Sequence, residues 1–434
     1  MVRRLLAILA IALMPALPAR AVTIEKVASP GGLEAWLVED HTNPIIAVSL
    51  SFRGGSAQDP EGKAGLAEMV AGLLDEGAGD LDSQAFHRKL ETLSISFGYG
   101  ADQDSLHGHL KTITANRDTA FDLLRLSLTE PRFDADAVER IRGQIEAELT
   151  QELQNPNIIA QHAFAKAMYP DHPSGRPGEG TPETIKAIAI ADLKAWTAGH
   201  LGRDRLAISV VGDITPAELA PILDRTFGAL PAKATPETVA DVAPAADGKV
   251  TVIHRNIPQS VVMFGEQGLK RNDPDWYTAY VMNYVLGGGG FSSRLMKEVR
   301  VKRGLAYGVY SYLVPRDHSA LLMGTVATRN ERVAESVDLI RQEWRRMAEN
   351  GVTAAELSEA KTYLNGSFPL QLDSTDSIAQ LVDVIQTQSL GIDYLDRRAS
   401  LINSVTAEDI KRVARRLLDA DHLSFVVLGA PQGL

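Results

Sequence analysis

Cysteine is absent from the 434-residue chain, which excludes a disulfide framework and leaves core burial to hold the fold together. Long apolar runs are also missing beyond residue 17. Charges or glycines interrupt every later stretch, so no membrane span is expected in the mature chain. Nor is there a basic block. The formal charge of −11 is spread along the chain, which argues against nucleic acid and suits neutral or cationic partners.

What the N-terminus does carry is Met1-Val2-Arg3-Arg4, an apolar run over 5–17, and Pro18-Ala19-Arg20-Ala21. A basic start, an apolar segment too short to span a bilayer and a small-x-small ending predict a signal peptide over 1–21, cut after Ala21. The mature protein is then periplasmic or otherwise exported. The roughly 400 residues that remain suffice for two domains with separate cores.

Residues 34–40 and 45–52 read as strands around a turn at Asn43-Pro44. Apolar periodicity predicts helices over 64–74 and 83–92, strands over 95–99 and 106–113, and helices over 118–128 and 134–154. The order then recurs, with strands over 249–254 and 261–265, helices over 274–286 and 293–302, a strand over 321–327 and a helix over 331–350. The closing segments match most clearly. A helix entered through an acidic residue, followed by a buried strand ending in glycine, occurs once at 190–213 and again at 407–429. Duplication is the economical explanation: an N-terminal α+β domain over 22–230 and a C-terminal one over 249–434. Residues 231–248, with three prolines, many alanines and no apolar period, are expected to form an extended linker that lets two lobes move.

An ordered set of short motifs carries more. It begins with Arg53-Gly54-Gly55-Ser56, then Gly62 opening a helix with Gly65-Leu66-Ala67-Glu68-Met69, then Glu76-Gly77. It continues through Arg132-Phe133-Asp134, Glu146-Ala147-Glu148-Leu149, Asn155-Pro156 and Tyr169-Pro170-Asp171-His172-Pro173. Gly180-Thr181-Pro182-Glu183-Thr184-Ile185 and Val210-Val211-Gly212-Asp213-Ile214 complete it. Over nearly all of the mature chain this resembles the insulinase and pitrilysin family of zinc metallopeptidases, the inverzincins. The resemblance implies a processing-peptidase-like fold, α+β, with two homologous domains, each a mainly antiparallel sheet with helices packed on it.

Family members that cleave peptides carry His-x-x-Glu-His on the first helix. Histidines four apart share a helix face and bind zinc, while the Glu takes a proton from the bound water. Here the two histidine positions are Gly65 and Met69. Glycine has no ligand atom, and methionine offers a soft thioether suited to copper(I). Glu68 matches the general base, and Glu148, or Glu146 in a shifted register, matches the distant third ligand. Two carboxylates do not complete a zinc site, so no metal or other cofactor is expected in this chain, and Glu68 and Glu148 are expected as solvated helix residues. His107 and His109 share a strand face and His87 precedes Glu91 by four. Such pairs fit satisfied histidines better than ligands.

The C-terminal half carries a stretch that resembles the family's second signature. Gly287-Gly288-Gly289-Gly290-Phe291 leads through Arg294 to Arg300, with Tyr307 seven positions later. By themselves, Arg300 would read as a solvated helix cation and Tyr307 as a core aromatic on a strand. The resemblance implies instead a catalytic pair facing zinc across a chamber. A tyrosine hydroxyl can donate to the oxyanion formed at a peptide carbonyl, and the arginine can hold the substrate carbonyl or the tyrosine. The glycine run lacks the Gly-Lys-Ser/Thr of a phosphate loop. Gly288 and Gly289 are expected to line the peptide path.

The resemblance further implies that substrate adds as a strand along a sheet edge at Phe97, Tyr99, Gly100 and Ala101, a mode tolerant of sequence. Gly100 stands where the family usually has asparagine. Together these features predict the non-zinc subunit of a two-chain peptidase, acting on peptide or unfolded polypeptide beside a homologous partner that binds zinc. The alternatives are an inert peptide-binding or structural homologue and a self-sufficient hydrolase with an atypical metal site at Glu68 and Glu148.

Overall fold

Two mostly apolar, almost wholly buried strands, Leu206–Gly212 and Ser424–Gly429, organise the molecule. A strand with side chains buried on both faces needs cover on both, and the topology supplies it. The computed structural model describes residues 22–236 and 238–434. The expected signal peptide lies outside the described residues.

The first half contains β1 (Glu25–Ala28), β2 (Glu34–Glu39), β3 (Ile45–Arg53), a short hairpin of β4 (Gly77–Ala78) and β5 (Leu81–Asp82), β6 (Ser96–Ala101), β7 (Ser105–Ile113) and β8 (Leu206–Gly212). The second contains β9 (Val250–His254), β10 (Gln259–Gln267), β11 (Ala306–Pro315), β12 (Ala320–Arg329) and β13 (Ser424–Gly429). The first large sheet runs β1-β2-β8-β3-β7-β6, and the second, in the same sense, β9-β13-β10-β12-β11. From β2 onward the two orders coincide strand for strand. Each is antiparallel except for one corresponding pair, β2 with β8 and β9 with β13. A shared exception of this kind marks the duplication more firmly than the shared rule does.

On one face each sheet is covered by its own helices. Phe52, Phe86 and Phe121 are fully buried there in the first half, and Phe264 meets Trp344 edge to face at 5.5 Å in the second. Each such ring contributes about 1.5–3 kcal/mol through burial. On the other face the halves exchange helices. Helix Pro156–Met168 lays Ala160, Phe164 and Met168 on Val261, Met263 and Val426 of the second sheet. Helix Thr375–Thr387 lays Ala379, Val382 and Ile385 on Trp36, Val38 and Val211 of the first. Polar links accompany the exchange: Ser51 Oγ donates to Asp383 Oδ2 at 2.6 Å, and Lys111 pairs with Asp376 at 2.5 Å.

This changes the picture of a freely hinged pair. The 231–248 tract is extended but tied along its length. Thr235 N donates to Gly199 O at 2.8 Å, Val242 N to His318 O at 2.9 Å and Ala245 N to Met168 O at 2.8 Å. Separating the halves would also strip two apolar faces. Among the described residues no helix is long and apolar enough to cross a membrane.

Candidate functional site

The helix expected over 64–74 is confined to Leu66–Ala71, because its first turn is built around a buried carboxylate rather than a continuous helical ladder. Asp59 accepts from the N–H groups of Gly65, Leu66 and Ala67 at 2.9, 3.0 and 3.1 Å. Gly65 is the N-cap, at φ +91°, a left-handed conformation that L side chains rarely adopt. A Cβ built there would lie 2.5 Å from Ile185 Cδ1 and 2.7 Å from the Glu179 carbonyl oxygen. Met69 is fully buried. The residues present therefore do not fit zinc: neither position offers imidazole, and the first has no room for one. Rebuilding the motif as Gly65→His with Met69→His is accordingly expected to yield no tight zinc site. Metal analysis of the purified double variant should find well below one ion per chain, and stoichiometric zinc would contradict the steric argument.

Glu68 departs from the solvated residue expected. It is half-buried, and burial first, then the charges of Glu179, Glu148 and Glu152, raise its pKa. Glu148 is exposed, as expected, and its charge bears on Glu68. His162 pairs with Glu179 at 2.5 Å beside this group. Sequence reasoning missed Glu152, Glu179 and His162. Glu179 sits between two glycines just before the Thr181 cap, which was the one available signal, and His162 rides on the exchanged helix. His87 pairs with Glu76 at 3.5 Å rather than with Glu91. Among the described residues no three His, Asp or Glu side chains are grouped to hold a metal ion.

In the C-terminal half, helix Trp276–Asn283 widens into a π-helical turn over Tyr284–Gly288, and a second π-helical segment covers Met296–Val301. Single π turns inside helices are frequent at functional sites. The Arg300 guanidinium lies 4.4 Å from the Phe291 ring centre, and its Nη1 donates to the Tyr307 carbonyl oxygen at 2.6 Å. Tyr307 lies in a β-bulge: between Ala306 opposite Thr328 and Val309 opposite Val326, two residues of β11 face one of β12. The bulge turns the ring outward, leaving it 82% exposed rather than in the core. Its hydroxyl has no hydrogen-bond partner among the described residues, so the donor is free for a ligand. Gly288, Gly289, Tyr284, Phe291 and Tyr363 line a neighbouring cavity of about 850 Å³.

Strand β6 is the free edge of the first sheet, paired only with β7. Phe97 and Tyr99 turn inward. Phe97 meets Phe86 at 5.8 Å and Tyr99 at 5.3 Å, and the Tyr99 hydroxyl lies 2.6 Å from Ser127 Oγ. What the edge offers along 97–101 is main chain. The Leu66–Ala71 helix and this edge belong to the first half, the Arg300 and Tyr307 pair to the second. The contacts described for each set stay within its own half.

Comparison with known proteins bears on the family and the fold. Residues 35–181 match the model described as Insulinase (Peptidase family M16), and residues 187–364 the model described as Peptidase M16 inactive domain. The non-peptidase homolog YmxG of Helicobacter pylori is 28% identical over 392 residues, 90% of each chain. An uncharacterized zinc protease of Streptomyces coelicolor is 28% identical over 91% of this chain and 87% of its own. Among solved structures, the peptidase M16 inactive domain from Pseudomonas fluorescens superposes with a TM-score of 0.88 at 29% identity, covering 95% of this chain and 98% of that one. Matched by models of the one family over both halves, and sharing the fold of its members, this chain belongs to the insulinase family of peptidases, M16.

Proposed function

We propose that this chain is the exported, non-zinc subunit of a two-chain peptidase, binding peptide along β6 and presenting Tyr307 to substrate held by a homologous partner. One observation carries the reading: the Tyr307 hydroxyl is turned out of the sheet and unpartnered while Arg300 fixes its carbonyl, in a chain whose own metal helix is sterically closed. The partner's metal would supply water activation. Tyr307 would donate to the oxyanion that develops on the peptide carbonyl. Arg300, bonded to the Tyr307 main chain, is a positioning residue and takes the second of its two sequence-based roles. An exported relative carrying His-x-x-Glu-His, encoded in a neighbouring reading frame, is the expected partner.

Peptide cleavage should be measured on each chain alone and on their mixture. Turnover is expected in the mixture well above the sum of the separate chains. Equal turnover by the zinc-binding chain alone would overturn the proposal and leave the inert-homologue reading. That reading draws support from the descriptions of the relatives, a non-peptidase homolog and an inactive domain.

A further inference from the structure

A cavity of about 1100 Å³ lies between the two halves; it borders β6 but shares no lining residue with the first helix or with the Arg300 and Tyr307 pair. Its floor is the exchanged-helix face of the first sheet. Ser49 pairs across strands with His109 and Ser51 with His107, so all four side chains stand on one face, neighbours about 4.5–5.5 Å apart at Cβ. Opposite the histidines β6 has only Gly98 and Gly100, where added Cβ atoms would lie 2.9 and 2.5 Å from the rings. The imidazoles thus lie over bare backbone. One wall is helix Thr375–Thr387, through Gln380 and Asp383, and the other is the turn between β11 and β12.

The cations around this cavity are already engaged. Arg53 pairs with Asp317 at 3.4 Å and donates to Thr387 O at 3.2 Å, and Arg205 donates to Arg53 O at 3.1 Å. Arg316 faces Asp104, and Lys111 holds Asp376 at 2.5 Å. Among the described residues no cation pairs with Asp383. It is 7% exposed, with Oδ2 accepting from Ser51 at 2.6 Å and Oδ1 without a hydrogen-bond partner. Burial pushes its carboxyl up to about 6, the expected response of a carboxylate lacking a counter-charge. Burial, chiefly, lowers the His109 pKa, which leaves a neutral imidazole with an acceptor nitrogen at neutral pH.

We propose that this cavity binds an alkylammonium group, with Asp383 as counter-ion and Ser51, His107 and His109 as neighbouring acceptors. An ammonium is a donor-only cation, which complements a buried carboxylate without an ion pair set beside hydroxyl and imidazole acceptors. The cavity is large enough for the carrier as well, a lysine side chain within a peptide or a free polyamine. The net charge of −11 favours approach of either. The site stands independently of the two-chain reading, since no partner residue is needed to complete it.

Calorimetric titration of the mature chain with spermidine, with a short lysine-containing peptide and with the same peptide acetylated at Nζ is the test. One saturable site is expected for at least one amine and none for the acetylated peptide, with ring resonances of His107 and His109 shifting on addition. Which amine binds identifies the source. Asp383→Asn should weaken binding about tenfold or more, the scale of one charge-assisted hydrogen bond. Gln380 is exposed one turn before Asp383, so Gln380→Lys supplies an ammonium in cis and should weaken binding comparably without touching the core. Absence of saturable binding of both amines to the unmodified chain, or unchanged affinity in both variants, would overturn the proposal.

Discussion

Tyr307→Phe is expected to lower turnover of the assembled pair about 10²-fold or more, the scale for loss of one oxyanion donor. The substitution removes a single oxygen. Because the ring is 82% exposed, little packing is lost, and because Arg300 grips the main chain, the bulge that aims the ring remains. The effect should therefore fall on kcat, with KM nearly unchanged, as for an interaction made in the transition state only. Co-purification of the two chains should be unaffected. If the variant pair turns over peptide at the unmodified rate, Tyr307 has no part in the chemistry and Arg300 merely secures a strand end.

The sequence made some of this legible and hid the rest for physical reasons. Helix Ser83–Thr92 and strand β7 lie where local pattern puts them, since each has a face on its own half's core. Helix Pro156–Met168 gives little such signal, and the apolar face of Thr375–Thr387, at 378, 382 and 385, does not say what covers it. Their apolar residues are buried by a sheet from the other half, and that surface is remote in sequence. The linker's composition suggests an extended chain but says nothing of the tertiary hydrogen bonds that secure it. At the degenerate helix, the missing imidazoles are plain from residues 65 and 69. The crowding by Ile185 and Glu179 is not, because it comes from a loop more than a hundred positions away. Tyr307 is the sharpest case: strand periodicity alone would bury it, and a one-residue bulge exposes it.

The buried turn that opens the Leu66–Ala71 helix should be the weakest point of the N-terminal half to polar truncation. Asp59 is 2% exposed and serves three helix N–H groups at once. Asp59→Ala leaves all three without an acceptor in a site closed to water. At 1–3 kcal/mol for each unsatisfied group, the expected loss is about 3 kcal/mol or more, read as a lower urea midpoint. Asp59→Asn keeps one oxygen, able to serve Gly65 and Leu66, and sets its amide against Ala67 N–H, so about 1–3 kcal/mol is expected instead. The pH dependence separates charge from hydrogen bonding. Burial pushes the Asp59 carboxyl up to about 7 against the pull of the three N–H groups and Arg176. A carboxyl whose folded pKa is raised stabilises most below its unfolded value, near 3.8, and that contribution is lost as pH rises to about 7. Asparagine does not titrate, so stability of the Asn variant should fall less between pH 4 and 7 than that of the unmodified chain. Equal slopes would mean that the three N–H groups outweigh burial and hold Asp59 ionised throughout, and an Ala variant as stable as the original would remove Asp59 as the anchor of this helix.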